Sequence, residues 1–215
     1  MVGVWWVYGI WASIVTPFVV PARFSDLLLS LAIKKAIVFV AVAILLRSDG
    51  DSLRSLGFTS ADWLRHIGRG MAYAVPIFVL INVALATAVG AVIPRSSVGA
   101  VGAITTFFRD RLHLLAWIPI GVIGGGFVEE LERAFVLTRF ENWLGTAGLY
   151  IALGVSSLIF GLGHSYQGAS GAIAAGVSGL LFGLVYLRRR SALEAAACHA
   201  FADVLGVIAA TFLTR

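Results

Sequence analysis

The sequence is poor in cysteine, proline and charge. Its 215 residues include one cysteine, Cys198, five prolines and only 13% charged side chains. A single cysteine excludes a disulfide framework within the chain and a cysteine-rich metal site. A soluble domain carries about 25% charged residues, so a chain with so few charges is not expected to present most of its surface to water.

Apolar side chains are correspondingly abundant. They make up 60% of the chain, and the mean hydropathy is +0.95. Lipid is therefore the expected outer solvent, and one membrane domain accounts for the whole length. The net charge of +5 would suggest nucleic acid as a partner of a soluble protein. Here the arginines lie between apolar runs, as in cytoplasmic loops, so the expected partner is the lipid bilayer and not nucleic acid.

Apolar runs long enough to cross a bilayer recur along the chain. They predict an all-α, polytopic transmembrane helix bundle of about seven spans, an integral, multi-pass membrane protein. The expected location is a bacterial plasma membrane. The predicted spans are residues 2–21, 27–46, 71–93, 113–138, 146–164, 171–187 and 192–213. Residues 1–20 lack a basic start and a good cleavage site, so we expect an uncleaved span rather than a signal peptide.

Several polar or small residues modify this simple picture. The capped start Ser60-Ala61-Asp62-Trp63 predicts a short interfacial helix before the third span. Lys34 and Lys35 lie inside the second span, which we expect to be tilted, interfacial or packed with its lysines in a polar crevice. His66 lies at a span edge and is interpreted as interfacial. Gly121 and Gly125 have the small-xxx-small spacing of closely packed helices, an arrangement that indicates packing and no chemistry.

Three segments place ionisable side chains inside apolar helices, where a charge at mid-bilayer costs about 2.5–3.5 kcal/mol. The residues are Glu129, Glu130 and Arg133 in the first segment, Phe160 and His164 in the second, and His199 and Asp203 in the third. Residues three or four positions apart share a helix face, so each segment presents one compact polar face. Such groups pair with one another or line a watery cavity.

Depth in the membrane gives a further expectation. A turn at residues 145–148 would make two of these segments antiparallel neighbours, with Glu129 and His164 equally far from the turn. We therefore expect Glu129 and His164 at the same depth. In straight helices His199 would lie about 11 Å from His164 along the membrane normal, at about 1.5 Å per residue, and only tilt or a broken helix would close that gap.

A carboxylate beside a histidine in a dry cleft is typical of acid–base catalysis. Such a glutamate can take a proton from water and later give it to a leaving amine. A histidine held by Asp203 can donate a hydrogen bond to the developing oxyanion. These groups are sufficient for peptide hydrolysis without a cofactor, a metal or a covalent nucleophile.

In this order the three segments resemble the motifs of the CPBP family, the CAAX proteases and bacteriocin-processing enzymes also called the Abi family. That family has a double glutamate followed by arginine, then Phe-x-x-x-His, then His-x-x-x-Asn or His-x-x-x-Asp. The resemblance covers about residues 113–213. It implies metal-independent endoproteolysis inside the membrane, acting on a membrane-associated peptide or on a protein substrate with or without a prenyl group. We accordingly expect residues 1–112 to hold N-terminal helices and residues 113–215 the catalytic ones, in one continuous membrane domain.

The resemblance also implies individual roles. Catalytic roles fall to Glu129, Glu130, His164, His199 and Asp203, and supporting roles to Arg133 and Phe160. Glu129 looks like the water-activating base, assisted by His164, and His199 with Asp203 looks like the oxyanion-stabilising pair. The commonest family pattern has three residues between the second glutamate and the arginine, whereas this chain has two. The base is therefore open between Glu129 and Glu130.

Three other interpretations remain. Gly176-Val177-Ser178-Gly179 matches the pattern of rhomboid serine proteases, with His199 as the base of Ser178. A zinc site could form from Glu129, His164 and His199, since zinc accepts histidine and carboxylate ligands, although the chain has no His-Glu-x-x-His motif. A transporter or scaffold with buried ion pairs is the non-enzymatic alternative.

Overall fold

The described part of the computed structural model comprises residues 21–59, 61–93, 107 and 110–213, so the first predicted span and Ser60 lie outside it. Within these residues the chain is helical and contains no strand, which confirms the all-α fold class. The helices are α1 (Phe24–Ser48), α2 (Trp63–Val79), α3 (Ala86–Val92), α4 (Arg111–Pro119), α5 (Glu130–Gly163), α6 (Gly168–Arg189) and α7 (Ala192–Leu213). π-Helical segments at Leu80–Leu85 and Ile120–Glu129 continue α2 into α3 and α4 into α5, and 3₁₀ turns lie at Leu53–Leu56 and Ser165–Gln167.

Five helical stretches among the described residues are long and apolar enough to cross a membrane, so the chain is an integral membrane protein. They are Phe24–Ser48, Trp63–Val92, Arg111–Gly163, Gly168–Arg189 and Ala192–Ala209. The predicted count of about seven is not confirmed. The third stretch has 53 residues and would be about 80 Å long at about 1.5 Å per residue, against about 30 Å of hydrocarbon. It contains the predicted span 113–138 and all of the predicted span 146–164 except its last residue.

Gly145 interrupts this long stretch. Its backbone has φ 64° and ψ −155°, a combination that is essentially restricted to glycine. Just beyond it, Gly148 lies so close to the carbonyl oxygen of Phe140 that no side chain would fit. The interruption coincides with the turn predicted at residues 145–148.

The predicted interfacial helix is the beginning of α2. Residues 63–69 continue directly into the apolar part of the helix, because no proline interrupts the chain before Pro76. Asp62, with φ 49°, precedes the helix, and its carbonyl accepts hydrogen bonds from the N–H groups of Arg65 and His66. The helix start was predicted correctly, but the prediction of a separate interfacial helix was wrong.

The chain divides by internal packing into two compact units. Among the described residues, unit 1 comprises residues 79–93 and 136–181, and unit 2 comprises residues 21–59, 61–78, 107, 110–135 and 182–213. Both units are assembled from separate stretches of the chain. The predicted division at residue 112 concerns function rather than packing, and it stays a prediction.

In unit 1, the part of α5 that follows Gly145 packs closely against the first half of α6. A Cβ added to Gly161 would lie 2.7 Å from the Ala172 carbonyl oxygen and 3.1 Å from the Cα of Gly176. These two backbones approach each other because neither glycine has a side chain.

In unit 2, α7 packs along the π-helical segment Ile120–Glu129, which also packs against α1. Gly126 lies on the surface of α7, where an added Cβ would be 2.6 Å from the Cβ of Ala200 and 2.9 Å from the carbonyl oxygen of Ala196. Small residues on both sides of this contact therefore bring the start of α5 within reach of polar side chains on α7.

Candidate active site

Glu130 is the most enclosed group of the candidate site, which lies in unit 2. Its side chain is 1% exposed, and its Oε1 accepts hydrogen bonds from Arg133 and, at 2.8 Å, from Nδ1 of His199. A buried carboxylate is destabilising unless it is paired and hydrogen-bonded, and here two donors stabilise it. The i,i+3 pairing predicted for Glu130 and Arg133 is present, and Glu130 also ties α5 to α7.

Glu129, the neighbouring residue, has different surroundings. Its side chain is 18% exposed, and its Oε1 forms an ion pair with Nζ of Lys35 on α1. Its Oε2 lies 3.8 Å from Nε2 of His199, which is longer than a hydrogen bond. Two consecutive glutamates therefore approach opposite nitrogens of one imidazole ring, Glu130 at Nδ1 and Glu129 at Nε2.

His199 is buried on α7 and stacks on Phe182, with 4.3 Å between the ring centroids and 21° between the ring planes. Asp203 follows one turn later, and its Oδ2 lies 3.9 Å from the same Nε2, so the predicted i,i+4 pairing of these two residues is present. Because an ionised carboxylate can only accept, Nδ1 of His199 donates to Glu130. Both ring nitrogens of His199 therefore lie near carboxylate oxygens.

The glycines of the π-helical segment make room for these side chains. A Cβ on Gly125 would lie 2.6 Å from Oδ2 of Asp203 and 3.2 Å from Nε2 of His199, and one on Gly121 would lie 3.0 Å from the Cβ of Asp203. π-Helical turns are frequent at functional sites. The packing role predicted for Gly121 and Gly125 is confirmed, but these glycines also border the candidate site, which the sequence analysis did not foresee.

Lys35 also belongs to this cluster, although its sequence position did not predict it as a site residue. Its side chain is 27% exposed, and its aliphatic carbons run 3.4–3.8 Å from where a Cβ of Gly124 would stand. Three arrangements were predicted for the lysines of this span, and Lys35 adopts the one in which the side chain lies in a polar crevice. The sequence offered one signal for such a partner, which was the balance of charge. Glu129 and its two neighbouring glutamates outnumber the single cation of their segment, Arg133.

His164 and Phe160 lie in unit 1, at the end of α5. Nδ1 of His164 is 2.8 Å from the carbonyl oxygen of Phe160, and the two rings are 4.5 Å apart. A carbonyl oxygen only accepts hydrogen bonds, so Nδ1 carries the proton and Nε2 is the acceptor of the neutral ring. The depth of His164 relative to Glu129 and His199 stays a prediction, because those residues belong to unit 2.

A second polar cluster lies in unit 2, where α2 meets the start of α7. Nδ1 of His66 is 3.0 Å from Oγ of Ser191 and 3.4 Å from Oε2 of Glu194, whose side chain is fully buried. Oγ of Ser191 also accepts a hydrogen bond from the N–H of Glu194 and so caps α7. His66 was interpreted as interfacial from the sequence, but it is partly buried at a junction of two helices.

The zinc alternative depends on how the metal-ligating side chains are distributed. Among the residues that the structure describes, no group of three or more His, Cys, Asp or Glu side chains is arranged to hold a metal ion. Cys198, next to His199 in the chain, is buried.

Comparison with known proteins adds an independent observation. Residues 111–205 match a family model described as Rce1-like, type II CAAX prenyl endopeptidase Rce1-like. The match covers just under half of the chain and includes every site residue predicted from the sequence. The curated proteins and the solved structures gave no match. The family match confirms the resemblance predicted from the three motifs, and residues 111–205 of this chain are similar to the Rce1-like, type II CAAX prenyl endopeptidase family.

Proposed function

We propose that this protein is a metal-independent intramembrane endopeptidase of the CAAX-processing and bacteriocin-processing type, in which Glu129 activates the attacking water. The observation that carries the proposal is the unequal placement of two adjacent glutamates around His199. Glu130 is enclosed and bonded to Arg133 and His199, whereas Glu129 is partly exposed and directs one oxygen toward Nε2 of His199.

This difference supports Glu129 as the base, a choice that the sequence left open between Glu129 and Glu130. A general base must reach a water molecule and must be able to hold the proton it accepts. Glu130 is 1% exposed, and its bonded oxygen already accepts from two donors, so we assign it a structural role. Glu129 is reachable from outside, and catalytic hydrogen bonds are often long before substrate binds, so its 3.8 Å distance to His199 is compatible with the role.

The reaction then follows from the groups present. Glu129 accepts a proton from water while the water oxygen attacks the carbonyl carbon of the peptide bond. Nε2–H of His199 donates a hydrogen bond to the oxyanion of the tetrahedral intermediate, and Asp203 keeps the ring oriented. Glu129 returns the proton to the amide nitrogen, the C–N bond breaks, and an acid and an amine leave. His164, with its acceptor Nε2, is the proposed assistant of Glu129.

The rhomboid-like alternative requires His199 to act as the base of Ser178. Nδ1 of His199 instead donates to Glu130, and the carboxylates of Glu129 and Asp203 face Nε2. A histidine between three carboxylates is better suited to donate a proton or hydrogen bond than to remove a proton from serine. We therefore retain the glutamate mechanism.

Cleavage by the purified protein in proteoliposomes tests the proposal. Membrane-anchored peptides, with and without a prenylated cysteine, are incubated with the wild type and the products are identified by mass spectrometry. We expect cleavage that persists in the presence of a chelator and in Ser178→Ala. Loss of cleavage in Ser178→Ala alone would favour the rhomboid-like mechanism, loss on chelation would favour a metal, and solute uptake without cleavage would favour a transporter.

A further inference from the structure

A direct partner of the proposed base comes from outside the family-matched segment. Lys35 lies on α1, 94 positions before Glu129 in the chain, and its ammonium pairs with Oε1 of Glu129. Residues 111–205 carry the match, so nothing in the matched segment accounts for a function of α1. The position of Lys35 therefore points to a contribution of α1 to the chemistry.

The side chain of Lys35 packs closely against the π-helical segment. Its aliphatic carbons lie along Gly124, where a Cβ would stand 3.4 Å from Cγ and 3.5 Å from Cε of the lysine. Both members of the ion pair are partly buried, with 27% of Lys35 and 18% of Glu129 exposed. Lys34, the neighbouring residue, is exposed on the same helix.

We propose that Lys35 is a positioning residue for Glu129, which it keeps ionised and oriented for catalysis. The ion pair occupies Oε1 of the carboxylate and leaves Oε2 directed toward Nε2 of His199, 3.8 Å away. This inference rests on the proposed function, because it takes Glu129 as the base. It assigns α1 a role in the reaction itself.

Several charged or titratable groups lie near Glu129. Among the described residues they include Lys35 on α1, His199 and Asp203 on α7, and Glu130 and Arg133 on its own helix. Of these, Lys35 is a cation in direct contact with Glu129, and Arg133 pairs with Glu130. An opposite charge at contact distance changes the proton affinity of a carboxylate by about 10- to 1000-fold.

Three variants separate the charge of Lys35 from its bulk. Lys35→Met keeps the length of the side chain and removes the charge, Lys35→Arg keeps the charge, and Lys34→Met makes the same change at the neighbouring exposed position. We expect Lys35→Met to lower kcat at neutral pH by about 10- to 100-fold and to move the acid limb of its pH–rate profile to higher pH. We expect substantial activity in Lys35→Arg and wild-type behaviour in Lys34→Met.

Infrared difference spectra against Glu129→Gln give a readout that is independent of activity. We expect the bands of an ionised carboxylate in the wild type and the carbonyl band of a protonated acid in Lys35→Met at the same pH. If Lys35→Met does not fold, Lys35→Gln is measured in its place. An unchanged pH–rate profile and an ionised Glu129 in the folded, uncharged variant would overturn the role of Lys35. An active Glu129→Gln would instead overturn the proposed function.

Discussion

Replacing Gly125 with alanine tests how closely the packing of α7 controls the site. The added Cβ would stand 2.6 Å from Oδ2 of Asp203 and 3.2 Å from Nε2 of His199, whereas real Cβ atoms essentially never have contacts under 3.0 Å. The carboxylate must therefore move by at least about 0.4 Å, and by about 0.8 Å to reach an ordinary contact of 3.4 Å. A misplacement of about 1 Å can reduce the rate by about 100-fold, so we expect kcat to fall by about 10- to 100-fold.

The same change should leave the fold intact. Oδ2 is the free end of a side chain and can turn away, and alanine favours a helix over glycine by about 1 kcal/mol. Peptide cleavage and the unfolding midpoint are measured together in detergent, with Gly206→Ala on α7 as the control, because a Cβ there meets no atom of the described residues within 4 Å. Wild-type kcat in Gly125→Ala would show that the Gly125 contact does not control the site, and an equal loss of kcat in the control would show that the effect is not specific to that contact.

Three further predictions concern the framework. Glu130→Gln should lower the free energy of unfolding by about 3–5 kcal/mol, because it breaks a buried ion pair; a variant as stable as the wild type in denaturant titration would contradict this. His66→Ala should lower it by about 1–3 kcal/mol, because the buried carboxylate of Glu194 loses a partner, and kcat per folded molecule should not change; a selective loss of kcat would contradict a purely structural role. Gly145→Ala should reduce stability by about 1–3 kcal/mol through strain at positive φ, and an unchanged thermal midpoint would show that the turn tolerates a side chain.

The parts of this protein that follow from local pattern could be predicted from the sequence. Low charge and long apolar runs give an all-α membrane protein, and helical spacing gives the pairs Glu130–Arg133 and His199–Asp203. The turn at Gly145 was predicted from the glycines at both ends of residues 145–148. The pattern did not give the span count, because hydropathy alone does not specify where a helical stretch of 53 residues is interrupted.

Contacts between distant parts of the chain were harder to predict. The segment around Glu129 has more carboxylates than cations, but helical periodicity could not identify Lys35 as the partner of Glu129. The contact between Gly125 and Asp203 could not be predicted either, because small-xxx-small spacing predicts that helices approach closely but does not identify the opposing side chains. His66 likewise had no sequence signal for its partner Glu194.

The most direct test of the account is the activity of Glu129→Gln in the folded protein. The substitution preserves the shape of the side chain and removes its ability to accept a proton from water. We predict that kcat for cleavage of a membrane-anchored peptide falls by about 10²- to 10⁴-fold, while the thermal midpoint shows that the protein is still folded. A folded Glu129→Gln variant with wild-type kcat would contradict the assignment of Glu129 as the base.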